Sequence, residues 1–277
     1  MIFSYWTCAR PPFNFAMPED AVQAWRAVDS HFAVHDDETV LAALAPRGEQ
    51  ATRLFARIRI PACKADLARL VLLHERGGIY VDAHCGPGAP EALVRLTRCQ
   101  QRHELVLFDE SVDSPEYRNT CIINGVLAAQ AGSPIVDRLI QNALRRLQRL
   151  ADAERRAASR HVAYNIYKLT GPWMIWHALY ERADQGARLK PEFASRVAIW
   201  PFERDEGQRA VQLSRFVQYK QPGAHWSERQ THEALFDATP DRSSFQAIEL
   251  GVKKDTSGED GGGGAQGGGK EMGGAAI

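Results

Sequence analysis

Two pairs of residues in this sequence have the types and spacing to do chemistry: Asp66 with Arg69, and Asp82 with His84. Residues three apart on a helix share one side. Residues two apart on a strand share one face. The first pair lies in a run whose apolar positions, Leu67, Leu70, Val71 and Leu73, predict a helix from Lys64 onward. Gly77-Gly78 ends that helix in a tight turn, since glycine tolerates positive φ. Ile79, Tyr80 and Val81 predict a short strand, and Asp82 and His84 then project together from its end. An acid and an imidazole aimed together could hold a divalent metal ion. The plainer readings stand beside this one. A lone strand histidine is more often a hydrogen-bonded structural residue, and an exposed Asp66–Arg69 ion pair would contribute little stability.

The elements needed to position these residues alternate between strand and helix. Strands are predicted over Ile2–Trp6, His31–His35, Ile79–Val81, Glu104–Phe108, Cys121–Ile123, Val197–Trp200 and Val217–Tyr219. Helices are predicted over Pro18–Ala27, with Glu19 and Asp20 in the first turn, and over Glu38–Leu44. Further helices are predicted from Lys64, from Ser133 to about Ala158, and from Pro172 to about Arg182. Arg145, Arg146 and Arg149 of the long helix read as a solvated face, with acceptor binding as the alternative. The alternation predicts an α/β sandwich.

In their order, Asp66-Leu67-Ala68-Arg69, Gly77-Gly78-Ile79-Tyr80 and Asp82-Ala83-His84 resemble the glycosyltransferases whose sugar-binding region contains a DXD motif. The capsular polysaccharide synthesis proteins and related mannosyltransferases share that pattern. His84 stands where many relatives have a second Asp. Ile2-Phe3-Ser4-Tyr5-Trp6 resembles the first strand of such enzymes, and Ile122-Ile123-Asn124-Gly125 their Asn-containing strand. Thr170-Gly171-Pro172 and Ala224-His225-Trp226 match later landmarks. The resemblance covers roughly residues 1 to 230, with low similarity between landmarks.

The resemblance implies a GT-A-like fold, a mixed central sheet flanked by helices. It also implies transfer of a hexose from a nucleotide-sugar donor, a UDP- or GDP-sugar, to a saccharide or polysaccharide acceptor, with retention of configuration. Breaking the donor bond builds negative charge on the leaving diphosphate, which Mn²⁺ or Mg²⁺ would offset. Carboxylate suits both ions and imidazole suits Mn²⁺ better. The family places Asp82, His84 and His225 at the metal. It places Trp6, Asp66, Arg69, Tyr80 and Asp82 at the donor, with Trp6 stacking on the base or simply part of the core. Asp82 and Asn124 are the residues carried over as catalytic. Asn124 alone reads either as a satisfied strand end or as an acceptor contact. Two other functions remain open: a non-catalytic nucleotide-sugar-binding relative, because His84 replaces an acid, and a toxin-like glycosyltransferase that modifies proteins.

Composition fits an enzyme of ordinary kind. The 277 residues are 44% hydrophobic and 25% charged, near globular averages. Lys+Arg and Asp+Glu are both 34, so no global field draws nucleic acid or membrane. No run of about twenty apolar residues predicts a membrane span, and peripheral membrane contact stays open. Five scattered cysteines, Cys8, Cys63, Cys85, Cys99 and Cys121, without a CxxC fit reduced thiols and a cytoplasmic setting. Cys63 and Cys85 read as small apolar fillers. No phosphate-binding G-x-x-x-x-G-K-[ST] loop is present, and no G-x-G-x-x-G follows the first strand. Between Gly258 and Gly274 lie ten of the 22 glycines, which predicts a disordered tail over 251–277 after a domain over 1–250.

Overall fold

The computed structural model describes residues 1–7, 17–109, 122–157, 161–183, 186–201, 208–217 and 225–237. The chain divides into a unit Met1–Pro240 and a second unit Asp241–Ile277. The expected boundary after residue 250, the glycine-rich tail, Cys8, Cys121 and most of the candidate strand Val217–Tyr219 lie outside the described residues.

A mixed six-stranded sheet organises the first unit, in the order β2-β1-β3-β6-β5-β9. Its strands are β1 (Ile2–Tyr5), β2 (Ala33–His35), β3 (Gly78–Val81), β5 (Leu105–Asp109), β6 (Ile122–Ala129) and β9 (Val197–Pro201). β4 (Gly86–Pro87) pairs with β10 (Val211–Gln212), and β7 (Tyr180–Ala183) with β8 (Gly186–Leu189). In the main sheet β6 alone runs antiparallel to its neighbours, β3 and β5. The parallel pairings β1–β2, β1–β3 and β5–β9 therefore end on one edge.

Strict alternation along the strands builds two cores. Phe3, Tyr5, Tyr80, Leu105, Leu107 and Leu127 face one layer of helices. That layer contains α2 (Asp37–Leu44), α3 (Glu49–Arg57), α4 (Pro61–Arg76), α6 (Pro134–Arg156) and α8 (Pro172–Leu179). Ile2, Ile79, Val81, Val106 and Val126 face the other, against α1 (Glu19–Val28) and α5 (Pro90–Arg102). Two further short α-helices are α7 (Ile166–Leu169) and α9 (Trp226–Arg229), and 3-10 turns span Ala45–Arg47 and Pro191–Phe193.

The α/β class and the mixed sheet are as the sequence predicts, and most elements match within a few residues. α3 and α5 are helices that the pattern did not predict. Each buries only three apolar residues, Ala51, Leu54 and Phe55 in one and Ala92, Leu93 and Leu96 in the other. The helix predicted to reach Arg182 stops at Leu179, because Tyr180 pairs with Leu189 in the β7–β8 hairpin. The strand predicted as Cys121–Ile123 runs on to Ala129 through Asn124 and Gly125.

Candidate active site

The carboxyl-terminal edge of the sheet gathers Asp66, Arg69, Tyr80, Asp82 and Asn124. Ligand sites of open α/β sheets lie outside this edge. α4 packs antiparallel to β3, so its amino-terminal half, with Asp66 and Arg69, stands over the end of that strand. Pro61 opens α4, where its missing N–H costs nothing. Gly77 and Gly78, with φ of 64° and 101°, turn the chain back into β3. A Cβ at Gly78 would lie 2.6 Å from the Met1 carbonyl oxygen, so the close approach to β1 excludes a side chain there.

Arg69 sits at the centre of a buried network. Its Nη2 lies 3.2 Å from Asp66 Oδ1 and 3.2 Å from Asp82 Oδ1. Its Nε donates to Ala65 O at 3.1 Å and its Nη1 to Asn124 O. The guanidinium carbon is 5.0 Å from the centre of the Tyr80 ring. Asp66 Oδ1 accepts from Asn124 Nδ2 at 2.7 Å, and its Oδ2 accepts from Thr170 Oγ1 at 2.9 Å. Tyr80 donates its hydroxyl proton to Asp82 Oδ1 at 2.7 Å. Asp66 and Arg69 are 6% and 4% exposed, so the surface ion pair is excluded. Burial pushes the Asp66 carboxyl up to about 6, although Arg69 opposes this and Thr170 and Asn124 bond to it. Burial, then the Asp82 charge, holds the Tyr80 phenol well above its usual range.

Backbone irregularity makes the network close. Leu107 pairs with Leu127 and the next residue, Phe108, with Ile123, so Asn124, Gly125 and Val126 form a bulge against β5, while Val126 still pairs with Val81 of β3. Bulges re-aim side chains and are common beside active sites. Here the bulge offers the Asn124 amide to Asp66 and the Gly125 carbonyl to Asp82 N at 2.7 Å. Gly125 also clears space: a Cβ there would lie 2.9 Å from Asp82 Oδ2.

Asp82 itself is held on three sides. β3 ends at Val81, and Asp82 to Cys85 form a turn closed by Cys85 N donating to Asp82 O at 2.9 Å. The expected strand alternation that would put Asp82 and His84 on one face therefore does not continue past Val81. Trp25 Nε1 of α1 donates to Cys85 O at 2.9 Å, and Phe216 N to His84 O at 3.0 Å. The Asp82 side chain keeps 20% of its surface exposed, the most of the three charged groups.

The remaining expected site residues fall as follows. Tyr80 is 1% exposed beneath Asp82, to which its hydroxyl donates. Trp6 is half-buried just past β1 on the same edge, its amide bonded to His35 O at 2.8 Å. Asn124 lies within β6 and not at its end, half-buried and donating its amide to Asp66. His225 is exposed and caps α9, its Nδ1 accepting from Ser227 N at 3.4 Å. Among the described residues no three His, Cys, Asp or Glu groups assemble as a metal-holding set, so Asp82, His84 and His225 do not form one. Cys63 and Cys85 are fully buried fillers, and burial pushes both thiols up. Sequence reasoning missed Trp25, Gly125 and the Thr170 hydroxyl as parts of the site. Thr170 was visible only as the opening of Thr-Gly-Pro; Trp25 left no signal.

Residues 7–89 match the family model described as the glycosyltransferase sugar-binding region containing the DXD motif. The resemblance carried by Asp66–Arg69, Gly77–Tyr80 and Asp82–His84 is to that family, over less than a third of the 277 residues. Trp6, Asn124, Thr170 and His225 lie outside the matched segment. No curated protein matches the chain. Among solved structures, "PaToxG Glycosyltransferase" is similar at 12% identity and a TM-score of 0.35, covering 64% of this chain and 67% of that one. The UDP-bound glycosyltransferase domain from the YGT toxin is similar at 13% identity and a TM-score of 0.31 over 48% of this chain. Only 38% of that domain's length is spanned. Scores of this size do not establish a shared fold.

Proposed function

We propose that the protein is a GT-A-like glycosyltransferase that uses a nucleotide-sugar donor bound at the carboxyl-terminal edge of the sheet. The observation that carries this reading is the convergence of Asp66, Arg69 and Tyr80 of the matched motif on Asp82. Asp66, Arg69 and Tyr80, scattered over two elements of the sequence, meet in one buried network whose exposed group is that carboxylate.

In this reading Asp82 faces the donor and the others hold it. Arg69 fixes Oδ1 and sets a positive charge behind the place where a diphosphate would gather negative charge. Asp66 and Asn124 fix Arg69 in turn. Direct contact of Asp66 or Arg69 with donor hydroxyls would require some of these bonds to exchange. Trp6, just past the end of β1 on the same edge, would meet the base.

The donor set suits a divalent cation shared with substrate better than one caged by protein. Asp82 Oδ2 points into the space left by Gly125, and such cations are commonly held by one or two carboxylates plus substrate phosphates. Asp82 would hold Mn²⁺ or Mg²⁺, which would offset charge on the leaving diphosphate; His84 as a further ligand follows the family position alone. Retention of configuration and a saccharide acceptor follow the family alone.

Calorimetric titration with UDP- and GDP-sugars, with and without Mn²⁺, tests the reading. Binding strengthened by the cation is expected for the parent. Asp82→Asn should keep the fold and lose most donor hydrolysis or transfer, by several kcal/mol of barrier. A parent that binds no such donor under either condition sinks the reading.

A further inference from the structure

We propose that the outer face of α6, together with the start of α8, docks the protein onto an anionic lipid surface. α6 carries arginines at positions 138, 145, 146, 149, 155 and 156 and acids at 137, 152 and 154. The acids are all engaged. Asp137 pairs with Arg47 at 2.6 Å and Asp152 with Arg155 at 2.9 Å. Buried Glu154 accepts from Leu235 N and Phe236 N.

Arg138, Arg145, Arg149 and Arg156 are exposed, and among the described residues none is in an ion pair. At 3.6 residues per turn they fall within about 20° of one line, which runs about 27 Å along the helix. Arg146 flanks the row, its guanidinium 5.5 Å from the Trp173 ring of α8. Trp173 is half-buried and stacks on exposed His177 at 4.9 Å. Tyr167 is 40% exposed on α7, beside Lys168, whose carbonyl accepts from Arg146 at 3.0 Å.

A straight row of guanidinium groups beside amphipathic rings is the composition of an interfacial contact. Basic side chains draw anionic headgroups, and Trp and Tyr rings rest at headgroup level. The opposite side of α6 is anchored in the core through Leu139, Ile140, Ala143 and Leu147, so the row lies flat along the body. A flat row matches a plane better than the curved backbone of a duplex. The chain has no net charge, so attraction would come from this face and not from the whole molecule. The proposal does not depend on the transferase reading.

Vesicle co-sedimentation of the full chain tests it. Phosphatidylcholine vesicles are compared with mixed phosphatidylcholine–phosphatidylglycerol vesicles at low and high salt. Binding to the mixed vesicles alone, weakened by salt, is expected. The triple variant Arg138→Gln/Arg145→Gln/Arg149→Gln should bind about 100-fold more weakly, at about 1 kcal/mol for each basic residue. Glutamine is a good helix former, so its melting should match the parent. The same three positions changed to Lys should bind like the parent. Arg95→Gln/Arg98→Gln/Arg102→Gln on α5, across the sheet, is the charge-matched control and should retain binding. Equal binding to neutral and anionic vesicles, equal losses from both glutamine triples, or capture of duplex DNA but not of vesicles would each overturn the proposal.

Discussion

Arg69 explains why a motif of separated residues behaves as one group. A guanidinium has five donors in a rigid fork, and here they reach two carboxylates and two backbone carbonyls. Removing one partner from such a buried set strands the others, at a cost of about 3–5 kcal/mol. Asp66 carries the most testable consequence. Its folded pKa is raised from 3.8 to about 6, chiefly by burial. Arg69, Thr170 and Asn124 act against the rise and Asp82 adds to it. A raised acid binds its proton more tightly when folded. Its stabilising contribution is therefore complete below pH 3.8 and is lost as pH rises through about 6. Relative to Asp66→Asn, which does not titrate, the parent should lose on the order of 3 kcal/mol of stability across that window. Urea melts of both proteins at several pH values measure the difference. A gap that stays constant with pH would show that Asp66 does not titrate there.

At the scale of elements, the bulge in β6 matters most. The sequence displayed Asn124-Gly125 but gave no sign that three residues would lack partners on β5, since a bulge is a property of pairing. α4 was legible because ten of its sixteen residues are buried, from Cys63 to Leu73. α3 and α5 were missed although Ala51, Leu54 and Phe55, and Ala92, Leu93 and Leu96, fall at helical spacing, because each run offers only three buried apolar side chains to read. The turn from Asp82 to Cys85 was read as strand for a related reason. Alternating residue types cannot reveal that Trp25 and Phe216 bond the carbonyls of Cys85 and His84. Gly125→Ala tests the bulge directly. Its added methyl must displace Asp82 Oδ2, which it would meet at 2.9 Å. Overpacking of this kind costs about 1–3 kcal/mol, and donor turnover should fall much further than stability does. Thermal melts and donor hydrolysis measured on the same preparation decide it. Unchanged turnover would mean that Asp82 is positioned without regard to Gly125.

Across the whole molecule, the described chain ends in a clamp that ties remote segments together. Glu154 near the end of α6 is 9% exposed, and its two oxygens accept from Leu235 N at 2.7 Å and Phe236 N at 3.1 Å. Arg59 N donates to Leu235 O at 2.9 Å, and Ile58 bridges Phe236 between α3 and α4. Leu235 and Phe236 are 0% and 3% exposed. Two truncations should therefore differ sharply. A chain ending at Pro240 keeps the clamp and the entire first unit. It should melt and bind donor like the full chain, as the glycine-rich composition beyond it also predicts. A chain ending at Glu233 loses two core side chains, each worth about 1.5–3 kcal/mol. It also leaves the Glu154 carboxylate buried without its amide donors, at a further cost of about 1–3 kcal/mol or more. A fall in melting temperature of about 10 °C or more is expected for a domain of this size. Restoring part of that loss with Glu154→Gln, which removes the stranded charge, would trace the damage to the clamp. If the Glu233 truncation melts with the parent, the clamp contributes nothing and the first unit is complete without it.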